Sequence, residues 1–149
     1  MPLPEGPSVT ADCLIVNKKG EILLIKRGRP PFEGSWALPG GFIECGRETI
    51  EQCAVREAKE ETGIDAKLKH LLGVRSHPDR DPRGHTVTAI YVCETVSDEE
   101  ARTARADDDA CDILWFLPTP ENLENTNLAF DHNDIIQEAV DGGFLEDNG

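Results

Sequence analysis

The chain has 149 residues, enough to bury a real core in one domain spanning 1–149 and too few for a comfortable second one. Fifteen Lys plus Arg against 29 Asp plus Glu give a formal charge of -14. That balance argues against general attraction to nucleic acid or an anionic membrane, and any polyanionic ligand would need a local cationic pocket or a bound metal.

The first seven residues lack the basic segment and apolar core of a signal peptide, and no apolar run approaches the ~20 residues of a membrane span, so the cytoplasm is the expected location. Residues 9–16 are apolar with β-branched entries, Asn17-Lys-Lys-Gly20 has turn chemistry, and the apolar run resumes over 21–25, which predicts a hairpin. Residues 28–35, with two prolines and two glycines, read as a loop leading to a short strand at 36–39 and then to the glycine pair Gly40 and Gly41. A helix is expected over 48–62, ended by Gly63 in a left-handed cap. Strands follow at 66–75 and 85–95, joined by a loop at 76–84 rich in turn formers and cations. The acidic stretch 97–109 is expected to be mobile, 113–117 a strand, and 133–140 a closing helix. The five cysteines, odd in number and without a Cys-x-x-Cys pair, indicate neither a disulfide framework nor a zinc site. This order suits a mixed sheet covered by helices. Acids scattered along the whole chain, with lysine scarcer than arginine, are compatible with a high-salt habitat.

Within the central helix, Glu57, Glu60 and Glu61 are spaced i, i+3, i+4, which stacks their carboxylates on one side. Advancing about 100° per residue places Glu57 and Glu61 on the apolar stripe with Ile50, Cys53 and Ala54. Glu51, Gln52, Arg56, Lys59 and Thr62 fill the opposite, solvated side. Inward carboxylates near a helix C-terminus meet one another's charge, the negative end of the dipole and partial desolvation. A divalent cation removes all three penalties.

The run Arg56-Glu57-Ala58-Lys59-Glu60-Glu61-Thr62-Gly63-Ile64 matches Arg-Glu-apolar-x-Glu-Glu-x-Gly-apolar at every position, and residues 41–64 resemble the Nudix box. Proteins with this signature hydrolyse a nucleoside diphosphate linked to another moiety. The resemblance implies an α+β, α/β/α fold: a mixed β-sheet sandwiched between helices. It implies Glu57 and Glu61 as principal metal ligands, the carbonyl of Gly40 as a backbone ligand, and Glu60 as either a further ligand or the group that orients the attacking water. Oxygen-only ligands suit Mg²⁺, with Mn²⁺ an alternative. The chain departs from the pattern upstream: the acid is Glu48, one step later than expected after Gly41, which reads as a one-residue insertion around Cys45 to Arg47. The family's brace between loop and helix would be a Glu48–Arg56 ion pair.

Outside the box, the segments 76–86, Asp108-Asp-Ala and Leu128-Ala-Phe-Asp-His132 resemble the ADP-ribose pyrophosphatase branch of the family. That likeness implies Mg²⁺-dependent hydrolysis of ADP-ribose to AMP and ribose 5-phosphate, a small nucleotide rather than a nucleic acid or membrane as partner, and a homodimer. Arg27 and Arg29 are the first candidates for phosphate or terminal ribose, because a planar guanidinium recognises oxygens in pairs; their alternative is a solvated loop role. Arg80 and Arg83 carry the same two readings. Trp36 can stack on adenine or belong to the core. His85 reads as a structural hydrogen-bonder, and Phe130 and His132 as packing for the last helix or as substrate contacts. A distal acid could come from Asp108 or Asp109, or from Glu99 or Glu100. A base beside a divalent ion has lowered proton affinity, so neutral to alkaline pH is expected to favour hydrolysis. The alternatives are damaged nucleoside triphosphates, dinucleoside polyphosphates or sugar nucleotides as substrates, or a non-catalytic nucleotide-sensing module.

Overall fold

Residues Ser8–Val16 form strand β1 and Ile22–Arg27 form β2. The turn between them is built by Asn17, whose side-chain oxygen accepts from the N–H groups of Lys19 and Glu21, both at 3.0 Å. Despite this tight turn the two strands pair only at Val16 and Ile22. The next segment separates them: β3 (Trp36–Ala37) pairs with β2, and β4 (Gly40–Phe42) pairs with β1 at Thr10, Ala11 and Asp12. Residues 36–42 are therefore a wedge in the fork of the hairpin. A computed structural model describes residues 1–146; residues 147–149, the end of the expected 1–149 domain, lie outside it.

The rest of the sheet grows outward from that fork. Helix α1 (Ile50–Thr62) follows the wedge, then β5 (Lys67–Arg75) and β6 (Thr86–Glu94). Strand β6 runs parallel to β1 along its whole length and β5 closes that edge antiparallel to β6. On the other side β7 (Ala110–Phe116) pairs antiparallel with β2. Because β-strand side chains alternate between faces, β1 sends Ala11, Cys13 and Ile15 to one side, where they meet Cys53, Ala54 and Ala58 of α1. Leu14 goes to the other side and packs with Ile135, Ile136 and Ala139 of the last helix, α4 (His132–Asp141). This is the layered α/β/α arrangement expected from the sequence.

The departures are local. The stretch 97–109, expected to be mobile, contains the short helix α2 (Asp98–Arg102), started by Ser97 accepting from Glu100 N–H at 3.1 Å. A helix not expected at all, α3 (Pro120–Asn125), begins where Thr119 caps and Pro120 fills the first turn, a position in which proline's missing N–H is no loss. Both are short pieces with little apolar periodicity and so carry a weak signal. Among the described residues no helix is long and apolar enough to cross a membrane.

Ile136 is 0% exposed in the α4 layer, whereas Val55 on α1 is 37% exposed. Chemical denaturation should show Ile136→Ala losing about 2–5 kcal/mol of stability through lost burial and a cavity, while Val55→Ala stays within about 1 kcal/mol of the parent.

Candidate active site

The helix that carries the glutamates is defined by its caps. Thr49 accepts from Gln52 N–H at 3.1 Å while the Gln52 side chain accepts from Thr49 N–H at 2.9 Å, and Gly63 ends the helix at φ 74° with its N–H on Lys59 O. The helix thus starts at Ile50, two residues after the expected Glu48, and Glu48 stands just outside it. There Glu48 takes a two-pronged bond from Arg56, Nε to Oε1 at 2.8 Å and Nη2 to Oε2 at 2.9 Å, and a further bond from Glu44 N–H. The Arg56 guanidinium, with that N–H, holds the Glu48 carboxyl down at about 2. Arg56 also donates to Phe42 O at 3.1 Å, tying α1 to β4. Between Glu44 and Glu48 the extra residue lies in a turn closed by Arg47 N–H on Glu44 O, with Gly46 at φ 76°.

Glu61 is only 5% exposed, and its Oε1 accepts from Gly40 N–H at 2.8 Å. Burial pushes its carboxyl up to about 8, against the Gly40 bond and aided by the charges of Glu57 and Asp12. Burial also raises Glu57, partly offset by Arg56. A Cβ on Gly41 would strike the Glu57 carboxylate, and one on Gly40 would strike Ala11 O and Asp12 Oδ1, so both positions need glycine for the close approach of β4 to β1 and α1. Glu60 is placed differently: its side chain is 43% exposed, does not line the cavity described below, and shares Arg56 Nη1 with Glu57, at 3.1 and 3.0 Å. Thr62, expected on the solvated side, is fully buried and donates to Ala58 O at 2.6 Å, and its own carbonyl accepts from Arg105 N–H at 2.9 Å.

Among the described residues no three Asp, Glu, His or Cys side chains converge as a ready metal cluster, since Arg56 draws Glu57 and Glu60 to itself. The donor chemistry nevertheless fits a hard divalent ion. Two carboxylates whose charged forms are disfavoured by burial line one cavity and offer it hard oxygen donors.

That cavity, about 500 Å³, opens where the wedge, the C-terminal half of α1 and the loops before β6, β7 and α4 meet. Glu57 and Glu61 line it together with Asp12, which accepts from Thr88 Oγ1 at 2.6 Å. Arg27 and Arg29 line it too. Arg29 pairs with Asp109 at 3.0 Å, and Gly28 N–H bonds Asp109 O, so the acidic loop is fastened to the end of β2. Asp108 reaches the cavity from a left-handed backbone at φ 53°. Arg80 also reaches it, but all three of its nitrogens are engaged, two on Asp131 and one on Thr86. Trp36 is outside: it packs in the α4-side core, with its backbone bonded to Asn127 and Ala129. Glu99 and Glu100 lie on α2, away from the cavity. His85 bonds Ser76 O at 2.8 Å and closes the 76–85 loop. Phe130 and His132 both line the cavity. His132 is buried, accepts Leu38 N–H at Nδ1, and is held below the ordinary histidine range by that burial.

Sequence reasoning missed Asp12 and Asp81. Asp12 is a single buried acid in an apolar strand, and Asp81 sits between Arg80 and Arg83 in the 76–86 segment, whose cations drew the attention instead.

With this geometry in view, comparison with known proteins places the chain. The NUDIX domain model matches residues 6–139. The ADP-ribose pyrophosphatase of Methanocaldococcus jannaschii is 48% identical over 135 residues, covering 90% of this chain and 73% of that protein. The ADPR responsive transcriptional repressor NtrR of Acinetobacter baylyi is 33% identical over 142 residues, covering 90% of this chain and 53% of the repressor. A Francisella tularensis bifunctional NMN adenylyltransferase/ADP ribose pyrophosphatase, crystallised with AMP and a manganese ion, superposes with a TM-score of 0.79 at 32% identity, over 92% of this chain and 42% of that one. The chain belongs to the Nudix family of hydrolases.

A carboxyl raised by folding binds a proton in the native state that the unfolded chain has already released, so stability falls as pH rises between the ordinary glutamate value and about 8. Glu61→Gln keeps an acceptor for Gly40 N–H without the buried charge. In EDTA it should therefore melt at a higher temperature than the parent at pH 8.5, by a few kilocalories per mole of stability, and the two should converge near pH 4.5.

Proposed function

We propose that the protein hydrolyses the diphosphate of ADP-ribose to give AMP and ribose 5-phosphate, with Mg²⁺ as the resident ion and Mn²⁺ able to replace it. The observation that carries this reading is a single cavity lined both by the carboxylates of Glu57 and Glu61 and by the guanidiniums of Arg27 and Arg29. The 48% identity to an archaeal ADP-ribose pyrophosphatase supports the choice of substrate.

In this reading Glu57, Glu61 and the carbonyl of Gly40 would hold the ion, with Glu60 joining after release from Arg56. A bound divalent ion neutralises phosphate charge and lowers the proton affinity of water beside it. The chain's own groups do the positioning. Arg27, donating Nε to Pro31 O at 2.6 Å, keeps its two terminal nitrogens for phosphate oxygens. Arg29 and Asp109 pair the acidic loop to the end of β2, and Asp108 lines the cavity as the candidate base. Glu61 must give up its proton before it can act as a ligand, so apparent metal affinity should climb with pH until about 8.

A second reading, a nucleotide sensor without turnover, draws on the likeness to an ADPR-responsive repressor. Product analysis separates the two. Incubation with ADP-ribose, a damaged nucleoside triphosphate, a dinucleoside polyphosphate and a sugar nucleotide in Mg²⁺ should yield AMP from ADP-ribose with the highest kcat/KM. Glu61→Gln should lower kcat by about 100-fold or more while still folding. Tight ADP-ribose binding with no AMP released would favour the sensor.

A further inference from the structure

The loop between β5 and β6 carries charged residues with unequal duties. Arg80, with a side chain 5% exposed, is wholly spent on Asp131 and Thr86, which anchors the loop to the start of α4. Asp81 is buried more deeply, its side chain 2% exposed. Both its oxygens go to one residue: Arg83 donates its backbone N–H at 2.9 Å, Nε at 3.1 Å and Nη2 at 2.8 Å. Burial alone would lift the Asp81 carboxyl, but Arg83 holds it below the usual carboxylate range. A buried acid is costly unless it is fully bonded, and here the bonding fixes the plane of the Arg83 guanidinium.

That plane is presented to the cavity. The guanidinium carbon lies 4.9 Å from the Phe42 ring centroid and 5.8 Å from that of Phe130, and Nη1 has no hydrogen-bond partner among the described residues. Arg27 approaches the same Phe130 ring at 5.1 Å. Phe130 is held at φ 52° and stacks edge-on against Phe32, itself at φ 59°. Phenylalanines rarely take that backbone region, so their surroundings must impose it. Arg27 has no carboxylate within ion-pairing distance among the described residues, and burial together with the nearby Arg83 weakens its hold on its proton. Two guanidiniums are thus brought to one aromatic ring, in one cavity, with Nη1 of Arg83 and both terminal nitrogens of Arg27 making no hydrogen bond among the described residues.

We infer that Arg83 and Arg27 together grip the diphosphate of the substrate, with Phe130 as the platform between them, and that Asp81 is a positioning residue acting through Arg83. This assignment rests on the proposed diphosphate hydrolysis and deepens it. Oxygens bound there would share the cavity with Glu57 and Glu61. A lysine at 83 would keep the charge but lose both the fork to Asp81 and the flat contact with the rings.

Steady-state kinetics with ADP-ribose in saturating Mg²⁺ test this, with circular dichroism melts to confirm that each variant is folded at the assay temperature. Arg83→Gln should raise KM by roughly 10- to 100-fold, the scale of a lost charged hydrogen bond, with kcat changed by less than about threefold. Arg83→Lys should recover only part of that loss. Asp81→Asn should raise KM alone but add little in an Arg83→Gln background, because its effect passes through Arg83. An unchanged KM in Arg83→Gln would overturn the grip, and full additivity of the two substitutions would overturn the role of Asp81. Calorimetric binding of inorganic pyrophosphate in Mg²⁺ should weaken in Arg83→Gln whether or not ADP-ribose is the substrate. If the wild type fails to cleave ADP-ribose while that weakening persists, only the substrate assignment falls; equal pyrophosphate affinity in both would sink the grip itself.

Discussion

The architecture of the site depends on one contact, the 2.8 Å bond from the N–H of Gly40 to the carboxylate of Glu61. To make it, the wedge 36–42 has to sit in the fork of the first hairpin, and α1 has to end close enough for a side chain from its last turn to reach the sheet. Both conditions require the absence of a side chain at 40 and 41, where a Cβ would collide with β1 or with Glu57. The bond satisfies a backbone donor and an acid together. It does not remove the cost of burying a charge, so the Glu61 carboxyl stays high, at about 8.

Around that contact the molecule collects groups that repel one another. Glu57, Glu61 and Asp12 line the same cavity, and Arg27 and Arg83 approach one ring in it. Arg56 relieves part of the acidic excess by holding Glu48, Glu57 and Glu60 at once. Non-glycine residues in left-handed conformations gather here too: Asp108 and Phe130 line the cavity and Phe32 packs against Phe130. Such concentration of unfavourable electrostatics and backbone strain marks a surface arranged for a ligand rather than for stability.

The strongly acidic composition has less bearing on ligand choice than its size suggests. A net -14 concerns the surface as a whole, whereas a small dianion meets only the cavity wall, where two guanidiniums stand within 6 Å of one ring. Local arrangement outweighs total charge because solvent and salt screen distant acids over about 10 Å.

The central helix, its glycine cap, the hairpin turn and the strand pattern are legible in the sequence because each is set by neighbours two to four residues apart. The same locality made the Glu57 and Glu61 placement readable, since helical periodicity puts both on the apolar stripe. The start of α1 was misread by two residues because Thr49, not Glu48, supplies the cap, and Thr62 was assigned to solvent because periodicity ignores what later covers a helix end. Trp36 has plausible chemistry for a substrate site, yet packing against the α4 layer keeps it out of the cavity, while the bonds of Arg80 to Asp131 and of Glu60 to Arg56 are contacts that periodicity cannot foresee. Asp12, Asp81 and the joint use of Arg27 and Arg83 gave no local sign, because their partners are brought together only when β1, the 76–85 loop and the start of α4 close on the wedge. The chain alone therefore determined which chemistry was on offer, through short-range periodicity and turn geometry. Tertiary structure decided which charges were left unpaired to perform it, because desolvation and pairing depend on contacts between distant segments.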